Sequence, residues 1–320
     1  MSFVHEDPEF DDLLQIVADA RKLSRGLIEK DYWVTHTLWV LHAAGLDVWF
    51  KGGTSLSKGF GLIERFSEDL DLKIEPGTVD ALPKISNWRS DGTKATAERK
   101  AYFEKLRDLI VVPGARIVLD PDSVDKTWRG ADIQVHYPAR HLVDLGGAMS
   151  PFIRLEVGNA RVTPFVPCTL TSFVHERLGA QNQFGDYDDN RPKGVRCVHP
   201  FVTLLEKFDA LHRRFLNEKA EPATFVRHYE DAAHVISKAD NLPPLMDHAD
   251  VRALAAEMVA QRQILAFPSP SNPALAPAQG PRWDAIHRAH TAIGQIFWGP
   301  RIAMDDACAT MREWATATFS

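Results

Sequence analysis

The spacing of apolar residues along this chain changes period several times, and each change marks an element. Residues 10–22 put Phe10, Leu13, Leu14, Val17 and Ala18 on one helical face, which predicts an amphipathic helix. Residues 26–44 repeat the helical spacing with Leu27, Val34, Leu38 and Leu41. The period then falls to two. The run Val48-Trp49-Phe50 predicts a strand over 47–51, followed by the pair Gly52-Gly53, a short helix over about 54–62, and a strand over 69–74. In that second strand Asp69 and Asp71 alternate with Leu70 and Leu72. Residues 76–96, with Pro76, Gly77, Pro83 and Gly92, predict a loop, and Glu98–Ile110 a helix that turns Tyr102, Phe103, Leu106, Leu109 and Ile110 inward. Segments near 115–120, 131–137 and 152–158 complete a mixed sheet.

After about residue 165 the pattern turns helical. Residues 200–217 carry Leu204, Leu205, Phe208, Leu211, His212 and Phe215 on one stripe, and helices are expected over 223–238 and 249–265. Residues 267–281 hold Pro268, Pro270, Pro273, Pro277 and Pro281 among Ser, Ala and Asn, which predicts a mobile loop or short linker. A last helical stretch begins near Trp283 and breaks at Gly299-Pro300. The expected class is α+β: a mixed sheet with flanking helices over 1–165, then a helical domain over 166–320.

Composition narrows the setting. A chain of 320 residues with 45% hydrophobic and 25% charged content is long enough for two cored domains. The apolar stretch 32–45 is interrupted by His36 and His42 and preceded by Glu29, Lys30 and Asp31, so no membrane span is expected, and the acidic N-terminus does not read as a signal peptide. Three scattered cysteines (Cys168, Cys197, Cys308) argue against a disulfide framework or a zinc site, so no disulfide partner is expected and the cytoplasm is the default location. A net charge of −6 weighs against broad nucleic-acid binding. Local basic clusters at Lys94, Arg99, Lys100, Lys105 and Arg107, at Arg191, Lys193 and Arg196, and at Arg213 and Arg214 have a solvated face as their ordinary reading.

The candidate chemistry lies in residues 51–72. Side chains at i and i+2 of a strand share a face, so Asp69 and Asp71 project together. Two adjacent carboxylates repel unless a cation lies between them, and hard oxygen donors of this kind suit Mg²⁺ with substrate phosphates. Gly52-Gly53 lets bare backbone amides approach a triphosphate. A phosphate cradle beside paired carboxylates is what metal-assisted nucleotidyl transfer requires. A P-loop does not fit, because Lys58 stands between Ser57 and Gly59 without the second glycine before it or the hydroxyl after it. No Gly-x-Gly-x-x-Gly opens a helix after a strand, so a dinucleotide fold does not fit either.

Phe50 to Gly53 with Thr54, Ser55, Leu56 and Lys58, followed by Arg65-Phe66-Ser67-Glu68-Asp69-Leu70-Asp71-Leu72, resembles the AbiEii/AbiGii group of nucleotidyltransferase toxins, which includes the MenT proteins, in the DNA polymerase β-like superfamily. The resemblance extends upstream through Ile28 to Val34. Downstream it takes in Leu155-Glu156-Val157-Gly158, Glu206 to Leu211, and Arg227-His228-Tyr229-Glu230-Asp231, covering about residues 27–235. It implies a nucleotidyltransferase fold in the N-terminal domain. Asp69 and Asp71 are implied as catalytic metal ligands, and Lys207 and Asp231 as further catalytic residues. Gly52, Gly53, Thr54, Ser55, Lys58, Arg65 and Ser67 are implied around the nucleoside triphosphate. Glu156 is either a third metal ligand or the partner of Arg154 or Arg161. Arg65 could equally pair with Glu64 or Glu68, and Asp231 with Arg227 one helical turn away. Glu230 departs from the family, which usually has two aromatics in this motif.

For function, the resemblance implies a Mg²⁺-dependent toxin that transfers a nucleotide from an NTP to RNA, with the 3′ end of tRNA as the expected acceptor and a separately encoded antitoxin as partner. The same core also modifies proteins or small molecules such as antibiotics, and a catalytically silent nucleotide-binding regulator is the remaining alternative.

Overall fold

The computed structural model describes residues 2–67, 69–145 and 149–319, which cluster into two compact units. The first holds residues up to Gly59, Ser67–Val162 and Pro167–Cys197; the second holds Phe60–Phe66, Thr163–Val166 and the chain from Val198 onward.

The first unit is built on a mixed sheet. Its strands are β1 (Asp47–Lys51), β2 (Asp69–Glu75), β3 (Arg116–Leu119), β4 (Gly130–His136), β5 (Ile153–Gly158), β6 (Phe165–Cys168) and β7 (Val195–Val198), in the spatial order β3-β4-β5-β2-β1-β7-β6. β1 runs antiparallel to β2 and parallel to β7, β2 runs parallel to β5, and β4 runs antiparallel to both β3 and β5. The alternation read from the sequence is kept: Phe50, Leu70, Leu72, Ile133 and Leu155 are buried, while Asp69, Asp71, Asp132 and Glu156 occupy the other face. Each fully buried side chain of this size contributes roughly 1.5–3 kcal/mol, which fixes the register and with it the face on which the carboxylates lie.

Helices α1 (Phe10–Arg21), α2 (Arg25–Ala43), α3 (Thr93–Leu109) and α4 (Phe173–Ala180) complete the unit. α2 is buried on nearly every side, not on a single stripe. Its charged triplet closes three connections. Glu29 accepts hydrogen bonds from the Arg140 and His141 amides at 2.8 and 2.9 Å. Lys30 donates to the Ser150 carbonyl at 2.8 Å. Asp31 accepts from the Phe173 amide at 2.8 Å and lies 2.5 Å from Lys58. A buried charge is tolerable when paired or fully hydrogen-bonded, and here the partners are distant loops.

The second unit contains α5 (Pro200–Leu216), α6 (Arg227–Ser237), α7 (Val251–Ala260), α8 (Pro281–Ala292) and α9 (Met304–Phe319). α6 packs on both α5 and α9, and Ala232 and Ala233 of α6 and Ala307, Cys308 and Met311 of α9 are all buried. Small residues allow the helices to approach closely.

Several expectations need correction. The region after 165 is not purely helical, because β6 and β7 extend the sheet; four-residue strands, one of them interrupted by Pro167, carry too little periodicity to be seen. The helix expected over 54–62 is a single turn at Gly52–Thr54 that runs into a π-turn at Ser55–Gly59. The proline-rich segment is packed: Ala274 and Leu275 are buried, and Tyr229 donates to the Ala274 carbonyl at 2.8 Å.

Candidate active site

The strand registers place charged residues in rows across the sheet. Lys51 pairs with Asp71, Asp71 with Glu156, and Glu156 with Asp132, so one cross-strand row reads Lys51–Asp71–Glu156–Asp132. The adjoining row brings Asp69 opposite Arg154 and Arg154 opposite Gln134. Paired positions on one sheet face lie about 4.5–5.5 Å apart at Cβ, within reach of mutual interaction. Lys51, Asp71, Asp132 and Glu156 line an open cleft of about 390 Å³, with Ser123 and Asp125 from the β3–β4 connection at its rim.

The glycine turn presses on this row. Gly52 sits at φ +77°, and a Cβ there would lie 1.7 Å from Asp71 Oδ2. Any side chain at 52 meets both a backbone penalty and a collision with the candidate ligand. The Thr54 hydroxyl is hydrogen-bonded to the Ser67 and Asp69 carbonyls at 3.1 and 2.8 Å, tying the turn to the first residue of β2. Gly52, Gly53, Thr54 and Ser55 are buried, and Ser67 reaches the turn through its carbonyl.

Electrostatics single out Glu156. Burial comes first, followed by the charges of Asp71, Asp69 and Asp132 and a hydrogen bond with Asp71; together they push its carboxyl up to about 8. Asp132 is raised as well, chiefly by burial, against the opposing charge of Arg154. Arg154 lies 3.5 Å from Asp69 and 3.3 Å from Asp132. At neutral pH a proton on Glu156 relieves the crowding, a task that a hard divalent cation performs equally well. The donor chemistry therefore fits Mg²⁺. Among the described residues no three His, Cys, Asp or Glu side chains converge as a formed metal shell, so the row is a donor set and not a closed cage.

The second unit assembles a different cluster. Arg65 grips Asp231 with two hydrogen bonds of 2.7 Å, and Lys207 Nζ lies 2.6 Å from the same carboxylate and 3.3 Å from His228 Nδ1. Burial alone would raise the Asp231 carboxyl, but Arg65 and Lys207 hold it far below the usual carboxylate range. Burial lowers Lys207 and His228.

This geometry decides two alternatives that the sequence leaves open. Arg65 pairs with Asp231, not with Glu64, while Glu68 lies outside the described residues; Asp231 takes Arg65 and Lys207, not Arg227. Lys207 is buried. Glu230, the departure from the family motif, is fully buried and bound by Arg301 at 2.7 Å, His290 at 3.0 Å and the Ile302 amide at 2.8 Å. An acidic side chain is therefore accommodated here by a dedicated set of donors. Burial opposes its charge, and these donors outweigh that cost, bringing the carboxyl to about 2.

Lys58, expected at the triphosphate, is engaged with Asp31, the Thr35 hydroxyl at 3.1 Å and the Thr171 carbonyl at 3.0 Å. Of the basic clusters, Arg99 is buried on the Thr127 and Asn87 carbonyls, and Arg191 and Lys193 both pair with Asp189. Asp132 and Lys51 escaped the sequence reading. The alternation in 131–137 marks Asp132 as facing away from the core, but only the strand register places it beside Glu156.

The family model described as nucleotidyl transferase AbiEii toxin, type IV toxin-antitoxin system, matches residues 39–293. The chain belongs to the AbiEii family. AbiEii membership implies a nucleotidyltransferase, an enzyme using an NTP, acting as the toxin of a toxin-antitoxin pair with a cognate antitoxin. A comparison with curated proteins gave no match. Among solved structures, the crystal structure of JHP933 from Helicobacter pylori is 12% identical over 92% of each chain with a TM-score of 0.44, too loose a likeness to bear on mechanism. No helix among the described residues is long and apolar enough to cross a membrane.

Proposed function

We propose that this AbiEii chain transfers a nucleoside monophosphate from an NTP to an RNA acceptor, the 3′ end of a tRNA, in a Mg²⁺-dependent reaction in the cytoplasm. The observation that carries the reading is the row Asp71–Glu156–Asp132, with Asp69 beside it, directly under the Gly52 turn. Asp69 and Asp71 would hold the metal, with Glu156, once deprotonated, as a third donor. When bound, Mg²⁺ neutralises charge on the α-phosphate and the departing pyrophosphate and favours ionisation of the attacking hydroxyl. Gly52, Gly53, Thr54 and Ser55 hold the backbone that orients the phosphates, and Lys51 ends the row with a cation. Catalysis then rests on positioning and electrostatics. Residues 1–165 form the transferase domain in this reading, and 166–320 the helical domain. Lys207, Asp231 and Arg65 enter it through the family motifs that carry them.

The test is incubation with Mg²⁺, each α-³²P-labelled NTP in turn, and total tRNA, with Asp69→Ala as control. Label in tRNA that depends on Asp69 supports the reading and identifies the nucleotide. Label in protein alone replaces RNA with a protein acceptor, and no label anywhere removes tRNA as the acceptor.

A further inference from the structure

Two of the three cysteines, far apart in sequence, meet at the edge of the sheet. Cys168 ends β6 and Cys197 lies in β7, the neighbouring strand. Hydrogen bonds from the Leu170 amide to the Pro192 carbonyl and from the His199 amide to the Pro164 carbonyl bracket the two strands and set them antiparallel. Between those two bonds Cys168 and Cys197 face one another across the strand pair, near enough for the two thiols to interact. Cys168 is partly exposed, whereas Cys197 is buried.

Cys197 also touches the candidate nucleotide turn. It stands opposite Phe50 in the parallel pairing of β7 with β1, the strand that delivers Gly52. A Cβ on Gly59 would lie 2.9 Å from Cys197 Sγ and 3.7 Å from Ser55 Oγ, so the π-turn rests against the sulphur at the one residue that leaves room for it.

We propose that Cys168 and Cys197 form a peroxide-driven, reversible disulfide that displaces the Ser55–Gly59 turn and thereby lowers nucleotidyl transfer. The last clause rests on the function proposed above. The Cys168 thiolate attacks one peroxide oxygen, breaking the O–O bond; the other oxygen leaves as hydroxide, takes a proton and becomes water, and Cys168 becomes a sulfenic acid. Cys197 sulphur then attacks the sulfenic sulphur, its thiol proton leaves with the hydroxyl as a second water, and the S–S bond forms. Two thiols and one peroxide thus give one disulfide and two waters. The hydrogen bond from Cys197 draws the Cys168 thiol below its ordinary range, which suits the accessible sulphur to the first attack. An S–S bond of about 2.05 Å is far shorter than a contact between two thiols, so bond formation draws the Cys197 sulphur toward Cys168 and shifts the support on which Gly59 rests. Disulfides of reducing compartments are typically of this transient kind.

The experiment uses the full chain, reduced and then titrated with hydrogen peroxide, alongside Cys168→Ser, Cys197→Ala and Cys308→Ser. Three readouts are taken: peptide mapping without reductant, hydrogen exchange over residues 52–59, and label transfer. The expected result is a linked Cys168–Cys197 peptide pair in wild type and Cys308→Ser and in neither of the other variants. Faster exchange over 52–59 and a fall in transfer of about tenfold to a hundredfold should accompany it, all reversed by dithiothreitol. Sulfenic or sulfinic acid on Cys168 without linkage would overturn the proposal, as would linkage that leaves exchange over 52–59 unchanged. If the reduced protein transfers no nucleotide, the function reading fails, while mapping and exchange still decide the disulfide and its effect on the turn.

Discussion

Two clusters of buried and half-buried charge in this protein have opposite electrostatic character. In the second unit one carboxylate, Asp231, faces two cations, Arg65 and Lys207, and is held firmly ionised. In the first unit the carboxylates of Asp71, Glu156 and Asp132 face one another across three strands, and Glu156 is driven up to about 8. A compensated cluster is complete as it stands and resists disturbance. The crowded row holds more carboxylates than its flanking Lys51 and Arg154 balance, an excess that a divalent cation would offset. The contrast separates a cluster whose charges balance within the protein from one whose charges do not.

The sharpest way to break the comparison is to neutralise one carboxylate in each cluster. Asp71→Asn should remove label transfer while leaving the melting temperature unchanged or higher, since it relieves repulsion in the row. Asp231→Ala should instead destabilise the protein by about 3–5 kcal/mol in urea unfolding, because it leaves Arg65 and Lys207 buried without their counter-ion. If Asp231→Ala folds with wild-type stability, the holding role assigned to that cluster is wrong. Gly52→Ala is a smaller perturbation of the row. Its side chain displaces Asp71, and transfer should fall by about tenfold to a hundredfold with the fold preserved in circular dichroism.

The smallest effects lie in pH dependence, and the sign differs between regions. Glu156 has a raised carboxyl, so its contribution to stability is present below the ordinary carboxyl range and is lost as pH rises toward about 8. In chelator, Glu156→Gln should flatten the fall in melting temperature across that window. His36 and His175 behave oppositely. Both are buried and neutral, joined through Asn190 at 2.7 Å each, and desolvation lowers them to about 3 and about 4. Their contribution is present above 6.5, the ordinary histidine value, and is lost as the medium is acidified toward those values. A Glu156→Gln profile identical to wild type would remove the proton-sharing account of the row.

Local features were legible in the sequence, whereas features set by long-range pairing were not. Period-two alternation placed Asp69 and Asp71 on one face and Leu70 and Leu72 in the core, and the glycine pair marked the turn. The grip of Arg65 on Asp231 spans 166 residues, and nothing local to either side chain announces it. Asp132 joins the row only because β4 pairs with β5 in one particular register, which a single sequence does not specify. The Glu29-Lys30-Asp31 stretch was visible as a motif. That its three charges fasten three separate loops became evident only from their partners.

Cation binding tests the central claim most directly. Mn²⁺, a paramagnetic stand-in for Mg²⁺, would be titrated into wild type and Asp71→Asn in the presence of NTP, with free Mn²⁺ followed by electron paramagnetic resonance. The account predicts that wild type binds the ion and that Asp71→Asn, folded, binds it at least about tenfold more weakly. Wild-type affinity in Asp71→Asn would contradict the assignment of the sheet carboxylates as the metal site.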